Sequence, residues 1–270
     1  MILSRITLPL LLAVLLLAAA PPSRASQDMV AVSLLPGWQA EDGTRMAALR
    51  LELEPGWKTY WRSPGDAGIP PSIDWGGSRN LESAEIIWPA PEQTLTNGLR
   101  TIGYGGDVVL PVRLAPARDG APMSLAVELS IGVCRDVCVP VETRARLDIP
   151  AGAGTRDPRI AAALAMRPYT AAEAGVGRVT CRVAPVEGGM ALMAEIEVPR
   201  RGARELVVVE TGNPELWVAQ ADTKRDGETL RARAEVYHME GGGVVLDRGA
   251  LRFTVLSSGE AVDIHGCSGG

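Results

Sequence analysis

The chain has 270 residues, of which 46% are hydrophobic and only 4% aromatic, and its 27 basic and 32 acidic side chains give a net charge of −5 at pH 7. This acidic balance argues against nucleic acid and anionic lipid as partners, because both attract positive charge. The length allows a substantial core in one or two domains, and 30 glycines and 20 prolines favour strands and turns over helices.

The N-terminus has the pattern of a secretory signal peptide. Arg5 supplies a basic start, residues 8–20 form a short apolar segment, and small side chains precede a predicted cleavage site after Ala25. The mature chain is expected to begin at Ser26, and loss of Arg5 and Arg24 leaves 25 basic against 32 acidic side chains, a net charge of −7. No later segment approaches the ~18 apolar residues of a membrane span, so we expect a soluble, exported protein whose disulfides persist in an oxidising compartment.

Residues 26–150 are predicted to form a first β-domain. The segment 46–53, MAALRLEL, alternates as a half-buried strand does. Residues 54–75 are rich in proline and glycine, and they also hold Trp57 and Trp75, so an ordered loop region is expected. Three further strands, separated by the turns of an antiparallel sandwich, are predicted in DVVLPVRLAP (107–116), MSLAVELSIGVC (123–134) and CVPVETRARLDIP (138–150).

Residues 151–172 are predicted to be a linker, and residues 173–270 a second β-domain. Asp157 can cap a short helix that has Pro158 at its first position and ends before Pro168. Short apolar runs then predict another sandwich, in RVTCRVAPV, MALMAEIEVP, ELVVVET, LWVAQAD, TLRARAEVYHM, ALRFTVLS and EAVDIHGC. The expected fold class is therefore all-β, with two sandwiches in series and a short helix in the linker.

The tryptophans are unevenly distributed. Five of the six lie between Trp38 and Trp88, and only Trp217 lies in the second half. These large side chains can belong to the core of the first domain, or some of them can form an exposed aromatic surface beside a functional site. The sequence leaves both interpretations open.

Four cysteines allow three disulfide pairings. Cys134 ends one predicted strand and Cys138 begins the next, so a three-residue hairpin loop brings them face to face within disulfide reach. Cys181 and Cys267 lie on the first and last predicted strands of the second domain. Geometry therefore favours bonds between Cys134 and Cys138 and between Cys181 and Cys267.

The two predicted bonds constrain very different lengths of chain. The bond between Cys181 and Cys267 closes a loop of about 87 residues, worth on the order of 4.5 kcal/mol, whereas that between Cys134 and Cys138 closes about five, worth roughly 2 kcal/mol. A cross-strand bond at a tight turn is commonly strained, which makes it easier to reduce. We therefore expect a structural disulfide in the second domain and a redox-active one in the first, with a purely structural hairpin disulfide as the alternative.

Metal binding is disfavoured for these cysteines. Closed zinc sites take four nitrogen or sulfur ligands, but the pair has no companion motif, and the chain's two histidines, His238 and His265, lie in the other domain. We expect neither a metal nor another cofactor.

Charged residues near the hairpin can tune the thiols. Arg135 lies between the cysteines and favours a thiolate, whereas Asp136, and possible neighbours Glu142 and Asp66, oppose it. The sequence does not decide the direction in which the thiol pKa moves, and each of these charges can also be an ordinary solvated turn residue.

Three stretches, GWKTYWRSPGDAGIPPSIDW, YGGDVVLPV and GVCRDVCVPVE, occur together and in this order. They resemble the periplasmic N-terminal domain of the DsbD/ScsB family of disulfide reductases, strongly over residues 38–150 and by architecture afterwards. The likeness is greater to the ScsB branch, whose periplasmic region resembles two immunoglobulin-like domains in series. The resemblance therefore implies that both sandwiches are immunoglobulin-like.

The resemblance also implies an electron relay in the periplasm. In that family a cysteine pair receives two electrons from a membrane-embedded reductase and passes them to thioredoxin-fold proteins, and Cys134 and Cys138 match this pair. Cys138 is expected to form the mixed disulfide and Cys134 to resolve it. The chain lacks the family's membrane and thioredoxin-like domains, so the donor is expected to be a separate protein and this chain one component of a protein-disulfide reductase.

One departure from the family concerns the cover over the pair. DsbD members cover it with a loop that bears an aromatic residue, but the matching stretch here, EQTLTNGLRTIGY, has no aromatic residue before its last position, Tyr104. Either the pair is less protected, or it is shielded by Leu95 or Leu99 in this stretch or by Trp57, Tyr60 or Trp61 from the neighbouring loop.

Two other functions are alternatives to the relay. A non-catalytic immunoglobulin-like binding module with two structural disulfides fits the same fold. A chaperone or copper-handling accessory is disfavoured, because the eight methionines are scattered along the chain.

Overall fold

The computed structural model describes residues 29–96 and 99–270, which form two β-sandwiches joined by a short helical segment. The predicted signal peptide lies outside the described residues. The first sandwich contains the strands β1 (Val30–Gln39), β2 (Arg45–Leu53), β3 (Lys58–Gly65), β4 (Ser72–Asp74), β5 (Leu81–Ile86), β6 (Glu92–Thr96), β7 (Leu99–Gly105), β8 (Asp107–Pro116), β9 (Met123–Cys134) and β10 (Cys138–Ile149).

Two antiparallel sheets make up the first sandwich. One has the order β1-β2-β8-β5, and the other has the order β10-β9-β3-β7-β6, with β4 beside β9. Period-two alternation explains why β9 lies against the core, since every second side chain along it is buried: Met123, Leu125, Val127, Leu129, Ile131 and Val133. These side chains meet Leu49, Leu110 and Val112 from the opposite sheet in one hydrophobic cluster.

The second sandwich has the same two-sheet plan. Its strands are β11 (Tyr169–Thr170), β12 (Val179–Val186), β13 (Gly189–Glu197), β14 (Leu206–Glu210), β15 (Leu216–Val218), β16 (Asp222–Asp226), β17 (Thr229–His238), β18 (Arg252–Ser257), β19 (Glu260–His265) and β20 (Ser268–Gly269). The sheets have the orders β11-β19-β18-β14 and β15-β17-β13-β12-β20, with β16 beside β17. Phe253, fully buried, lies in the core between them.

The predicted linker helix is present as α1 (Pro158–Ala165). The Asp157 side chain accepts a hydrogen bond from the Arg159 backbone N–H, which satisfies one of the free donors at the helix start. Ile160 is fully buried and packs with Met46 of the first sandwich. The helix is therefore held on the first sandwich by its apolar side chains, since Leu164 packs against the same cluster.

The prediction of an all-β fold with a short linker helix is confirmed, but the interpretation of residues 54–75 as a loop region was wrong. This segment contains β3 and β4, which pair with β9, and β3 also pairs with β7. Proline and glycine obscured these strands, because β3 is regular only at its start and its register with β7 shifts between Tyr60 and Gly65. Strands β1, β5, β6 and β7 were also missed.

The sandwiches contact each other through consecutive residues of β3. Trp61 is fully buried in a cluster with Ile102 of the first sandwich and Leu206, Val208, Leu256 and Ala261 of the second. Beside it, the Arg62 guanidinium donates two parallel hydrogen bonds to the Glu210 carboxylate, with Nε–Oε1 and Nη2–Oε2 distances of 3.0 Å. The strand that joins the sandwiches thus also runs past the end of β9, where the cysteine pair begins.

Candidate redox site

The hairpin of β9 and β10 holds the first cysteine pair. Cys134 and Cys138 are direct cross-strand partners, their Cα atoms lie 4.1 Å apart, and their sulfurs are joined in a disulfide. Residues 135–137 form the loop, in which the Arg135 N–H donates to the Val137 carbonyl at 3.2 Å. As residues, Cys138 is exposed and Cys134 half-buried.

The second cysteine pair has a different environment. Cys181 on β12 and Cys267, just before β20, are joined in a disulfide with a Cα–Cα distance of 5.8 Å. Cys181 is buried and belongs to the core of the second sandwich, with Cys267 packed against it. This bond joins β12 to the chain segment just before β20, and its Cys267 side is half-buried.

A tyrosine hydroxyl contacts both sulfurs of the first pair. The Tyr60 Oη atom lies 2.9 Å from Cys134 Sγ and 3.1 Å from Cys138 Sγ. Disulfide sulfurs carry no hydrogen, so Tyr60 is the donor in the oxidised state. Burial raises the pKa of Tyr60 above its ordinary value, so the hydroxyl keeps its proton through the neutral range.

The ring of Tyr60 reaches the sulfurs because Gly132 has no side chain. A Cβ atom at Gly132 would lie only 2.8 Å from Cε2 of the Tyr60 ring. On the neighbouring strand, the Thr59 hydroxyl donates to the Gly132 carbonyl at 2.9 Å and fixes β3 against β9. A glycine two residues before the first cysteine is therefore part of the site, and sequence reasoning missed it.

The disulfide lies at one side of a groove of about 260 Å³. Cys134 and Cys138 line the groove together with the hairpin loop and with residues of β3 and β7, and Lys58 of β3 is the cross-strand partner of Cys134. The Lys58 ammonium donates to Thr94 Oγ1 at 3.2 Å. It is a cation at the groove that the sequence reasoning did not identify.

The loop charges largely cancel each other. The Arg135 Nε atom donates to the Asp136 carboxylate at 3.2 Å, and the Arg135 guanidinium lies over the Trp57 ring at 5.0 Å from its centroid. Both members of this ion pair are exposed, and such pairs are weak and screened by salt. The opposing effects predicted for these two residues therefore largely offset each other.

Neither of the other predicted tuning residues lines the groove. Glu142 lies four residues beyond Cys138 on β10, roughly 13 Å along the strand. Asp66 is exposed and accepts a hydrogen bond from the Arg100 backbone N–H at 3.4 Å.

The structure distinguishes the residues that were predicted to shield the pair. Leu99, half-exposed, and Tyr104, whose hydroxyl donates to the Pro89 carbonyl at 2.8 Å, line the groove without a hydrogen bond to sulfur. Leu95 is 67% exposed and faces a different groove. Trp61 as a shield is wrong, because its side chain is fully buried between the sandwiches.

Two further features of the described residues bear on function. In residues 29–96 and 99–270 no group of three or more histidine, cysteine, aspartate or glutamate side chains is arranged to hold a metal ion. Over the same residues no helix has the length and apolar character needed to span a membrane.

Comparison with known proteins places the first sandwich in a family. Residues 31–150 match the family described as "Thiol:disulfide interchange protein DsbD, N-terminal". These residues belong to the DsbD N-terminal domain family. The match ends at the C-terminal end of β10 and includes both cysteines of the hairpin and Tyr60. Proteins of this family interact with other thiol-redox proteins.

The whole two-sandwich architecture is found in a solved structure. The N-terminal periplasmic domain of ScsB from Proteus mirabilis is 22% identical, with 89% of this chain and 92% of that chain covered and a TM-score of 0.64, and this likeness shows the fold. The N-terminal domain of DsbD from Neisseria meningitidis, in its reduced form, is also 22% identical over 52% of this chain and 96% of that chain, but its TM-score of 0.25 carries no argument. No curated protein matches the chain in sequence.

Proposed function

We propose that this protein exchanges disulfides with thiol-redox partners in the periplasm through Cys134 and Cys138. The observation that carries the proposal is the position of this disulfide, which is open to solvent in a groove and has the Tyr60 hydroxyl within hydrogen-bond distance of both sulfurs. Membership of residues 31–150 in the DsbD N-terminal family supports the same chemistry.

Reduction of the pair starts with attack on the exposed sulfur. A thiolate of a partner dithiol attacks Cys138 Sγ, the disulfide breaks, and Cys134 leaves as a thiolate that accepts a hydrogen bond from Tyr60. The partner's second thiolate then attacks the partner's first sulfur, which is bonded to Cys138 in the mixed disulfide, and Cys138 leaves as a thiolate. The partner is oxidised to a disulfide, and two electrons now reside on the cysteine pair.

The reverse sequence reduces a client. The Cys138 thiolate attacks a client disulfide and forms a mixed disulfide, and one client sulfur leaves as a thiolate. Cys134 then attacks Cys138 Sγ, which restores the internal disulfide and releases the second client sulfur. Because Cys138 is exposed and Cys134 is half-buried beside Tyr60, we assign the mixed disulfide to Cys138 and its resolution to Cys134.

The partners we propose are a membrane-embedded thiol reductase as electron donor and thioredoxin-fold proteins as clients. Support comes from the family of residues 31–150 and from the chemistry, which requires a dithiol on one side and an accessible disulfide on the other. Docking is expected to be weak and small in area, because a relay has to release each partner.

A trapping experiment tests the proposal against an immunoglobulin-like module with two structural disulfides. Cys134→Ser removes the resolving thiol, so covalent complexes with periplasmic thiol-redox proteins should accumulate through Cys138. Cys138→Ser is the matched control and should trap far less, since Cys134 is less accessible. If neither variant forms a mixed disulfide while both remain folded, the relay is wrong and the scaffold function is favoured.

A further inference from the structure

A second groove lies on the other side of the hairpin formed by β6 and β7. It has a volume of about 420 Å³ and is bounded by this hairpin on one side and by the second sandwich on the other. Thr94 lines both this groove and the redox groove, whereas Leu95 faces only the former and Leu99 only the latter. The two grooves are therefore separated by no more than one two-stranded hairpin.

This second groove carries an excess of positive charge. Arg100 of β7 and Arg200 and Arg204, both before β14, line it, and within the part of the chain that the structure describes none of the three forms an ion pair. The remaining charges of the lining, Arg225 and Glu205, are bonded to each other at 2.6 Å with side chains only 9% and 3% exposed. Three unpaired guanidiniums thus remain.

This concentration of charge contrasts with the protein as a whole, which has a net charge of −5. The Asp66 carboxylate accepts a hydrogen bond from the backbone N–H of Arg100 and not from its guanidinium. Asp66 does not line the groove. Arg200 and Arg204 are exposed, so their charges face solvent and are available to a docking surface.

The area that a docked protein covers is large enough to include both grooves. A weak redox interface covers up to about 600 Å² on each partner, which corresponds to a patch of roughly 14 Å radius. The hairpin between the grooves is two strands wide, about 10 Å across. A protein that docks over Cys138 and lies across the hairpin therefore reaches the arginines beyond it.

We propose that the arginine groove, defined by Arg100, Arg200 and Arg204, binds an acidic surface next to the cysteine pair of the partner protein. This inference rests on the proposed function and gives the second sandwich a role in partner selection. Charges at the rim of an interface act mainly on the association rate and its salt dependence. The arginines therefore accelerate exchange with acidic partners and contribute little to how long the complex lasts.

Two synthetic peptides provide the test. Both have the same length and one cysteine, held as a mixed disulfide with thionitrobenzoate, and one has four aspartates where the other has four asparagines. The Cys138 thiolate of the reduced protein attacks the peptide sulfur, the peptide–thionitrobenzoate bond breaks, and thionitrobenzoate leaves as a coloured thiolate. Cys134 then displaces the peptide thiol and reforms the internal disulfide.

We expect the aspartate peptide to react about tenfold faster than the asparagine peptide at low ionic strength, and about equally fast near 0.5 M salt. The double variant R200E/R204E should lose this preference. The control R182E/R248E changes the charge equally, at two exposed arginines of the second sandwich that do not line the groove, and should keep it.

Each other outcome contradicts a specific claim. Equal rates for both peptides in the wild type, or a preference that survives R200E/R204E, overturns the arginine groove but leaves the exchange function intact. No thionitrobenzoate release from either peptide overturns the proposed function itself. If low millimolar inorganic phosphate abolishes the preference but sodium chloride of equal ionic strength does not, the groove binds small anions and the proposal is overturned. Cosedimentation with phosphatidylglycerol vesicles assigns the groove to a membrane and also overturns the proposal.

Discussion

Replacing Tyr60 by phenylalanine isolates the contribution of one hydroxyl to the redox chemistry. The ring that packs against Gly132 is kept, and only the oxygen 2.9 Å from Cys134 Sγ and 3.1 Å from Cys138 Sγ is lost. Because burial raises the pKa of Tyr60, this oxygen remains a protonated donor at the pH values where thiols ionise. The hydroxyl therefore stabilises a thiolate more than it stabilises the neutral disulfide.

The size of the effect follows from hydrogen bonds to charged groups, which are worth about 1.5–3 kcal/mol. The neutral thiol also accepts this bond, though weakly, so we take a difference of about 1.4 kcal/mol between thiolate and thiol, which raises the thiol pKa in Tyr60→Phe by about one unit. At a pH below the thiol pKa this lowers the thiolate fraction about tenfold. The more basic thiolate is about threefold more nucleophilic, so the exchange rate should fall only about threefold.

The assay is thiolate absorbance across pH together with the rate of exchange with a small disulfide. Tyr104→Phe is the matched control, because Tyr104 lines the same groove but its hydroxyl donates to the Pro89 carbonyl. We expect the thiol pKa to rise in the Tyr60 variant and to stay unchanged in the Tyr104 variant. An unchanged pKa and rate in a folded Tyr60→Phe protein would refute the role of this hydroxyl.

Two further predictions concern stability. Serine variants that remove the disulfide of Cys134 should lose at most about 2 kcal/mol of unfolding free energy, and those that remove the disulfide of Cys181 about 4.5 kcal/mol, because the second bond closes a much longer loop. Equal losses in urea denaturation would contradict this. Glu210→Gln breaks the ion pair with Arg62 between the sandwiches and should lower the free energy of unfolding by about 1–2 kcal/mol. This is less than for a fully buried pair, because the Glu210 side chain keeps 24% exposure. An unchanged thermal midpoint would show that this pair does not hold the sandwiches together.

Residues whose structure depends on local pattern were predictable from the sequence. The alternation along 123–134 gave the strand β9, and the spacing of Cys134 and Cys138 gave the hairpin that joins it to β10. The helix α1 was equally readable from its cap, Asp157, and its first residue, Pro158. In each case neighbours in sequence supply the interactions that define the element.

Roles that depend on distant partners were only partly predictable: Tyr60 was one of five side chains that could shield the pair, and the sequence did not single it out. Of the aromatics near the pair, Tyr60 contacts the sulfurs because β3 pairs with β9 and Gly132 leaves room for the ring, which requires the register of two strands more than seventy residues apart. The Trp61 side chain packs against the second sandwich, and no local sequence pattern indicates this contact. The domain limits at 150 and 173 remain a prediction.

The central claim is that the disulfide of Cys134 and Cys138 opens while the protein stays folded. Equilibration of the native protein in redox buffers, followed by alkylation and mass spectrometry, tests it directly. We predict that these two cysteines become alkylated at potentials between about −180 and −270 mV, where thioredoxin-fold relays work, while Cys181 and Cys267 remain bonded and circular dichroism is unchanged. Thiols that appear at all four cysteines together, and only when the protein unfolds, would contradict the account.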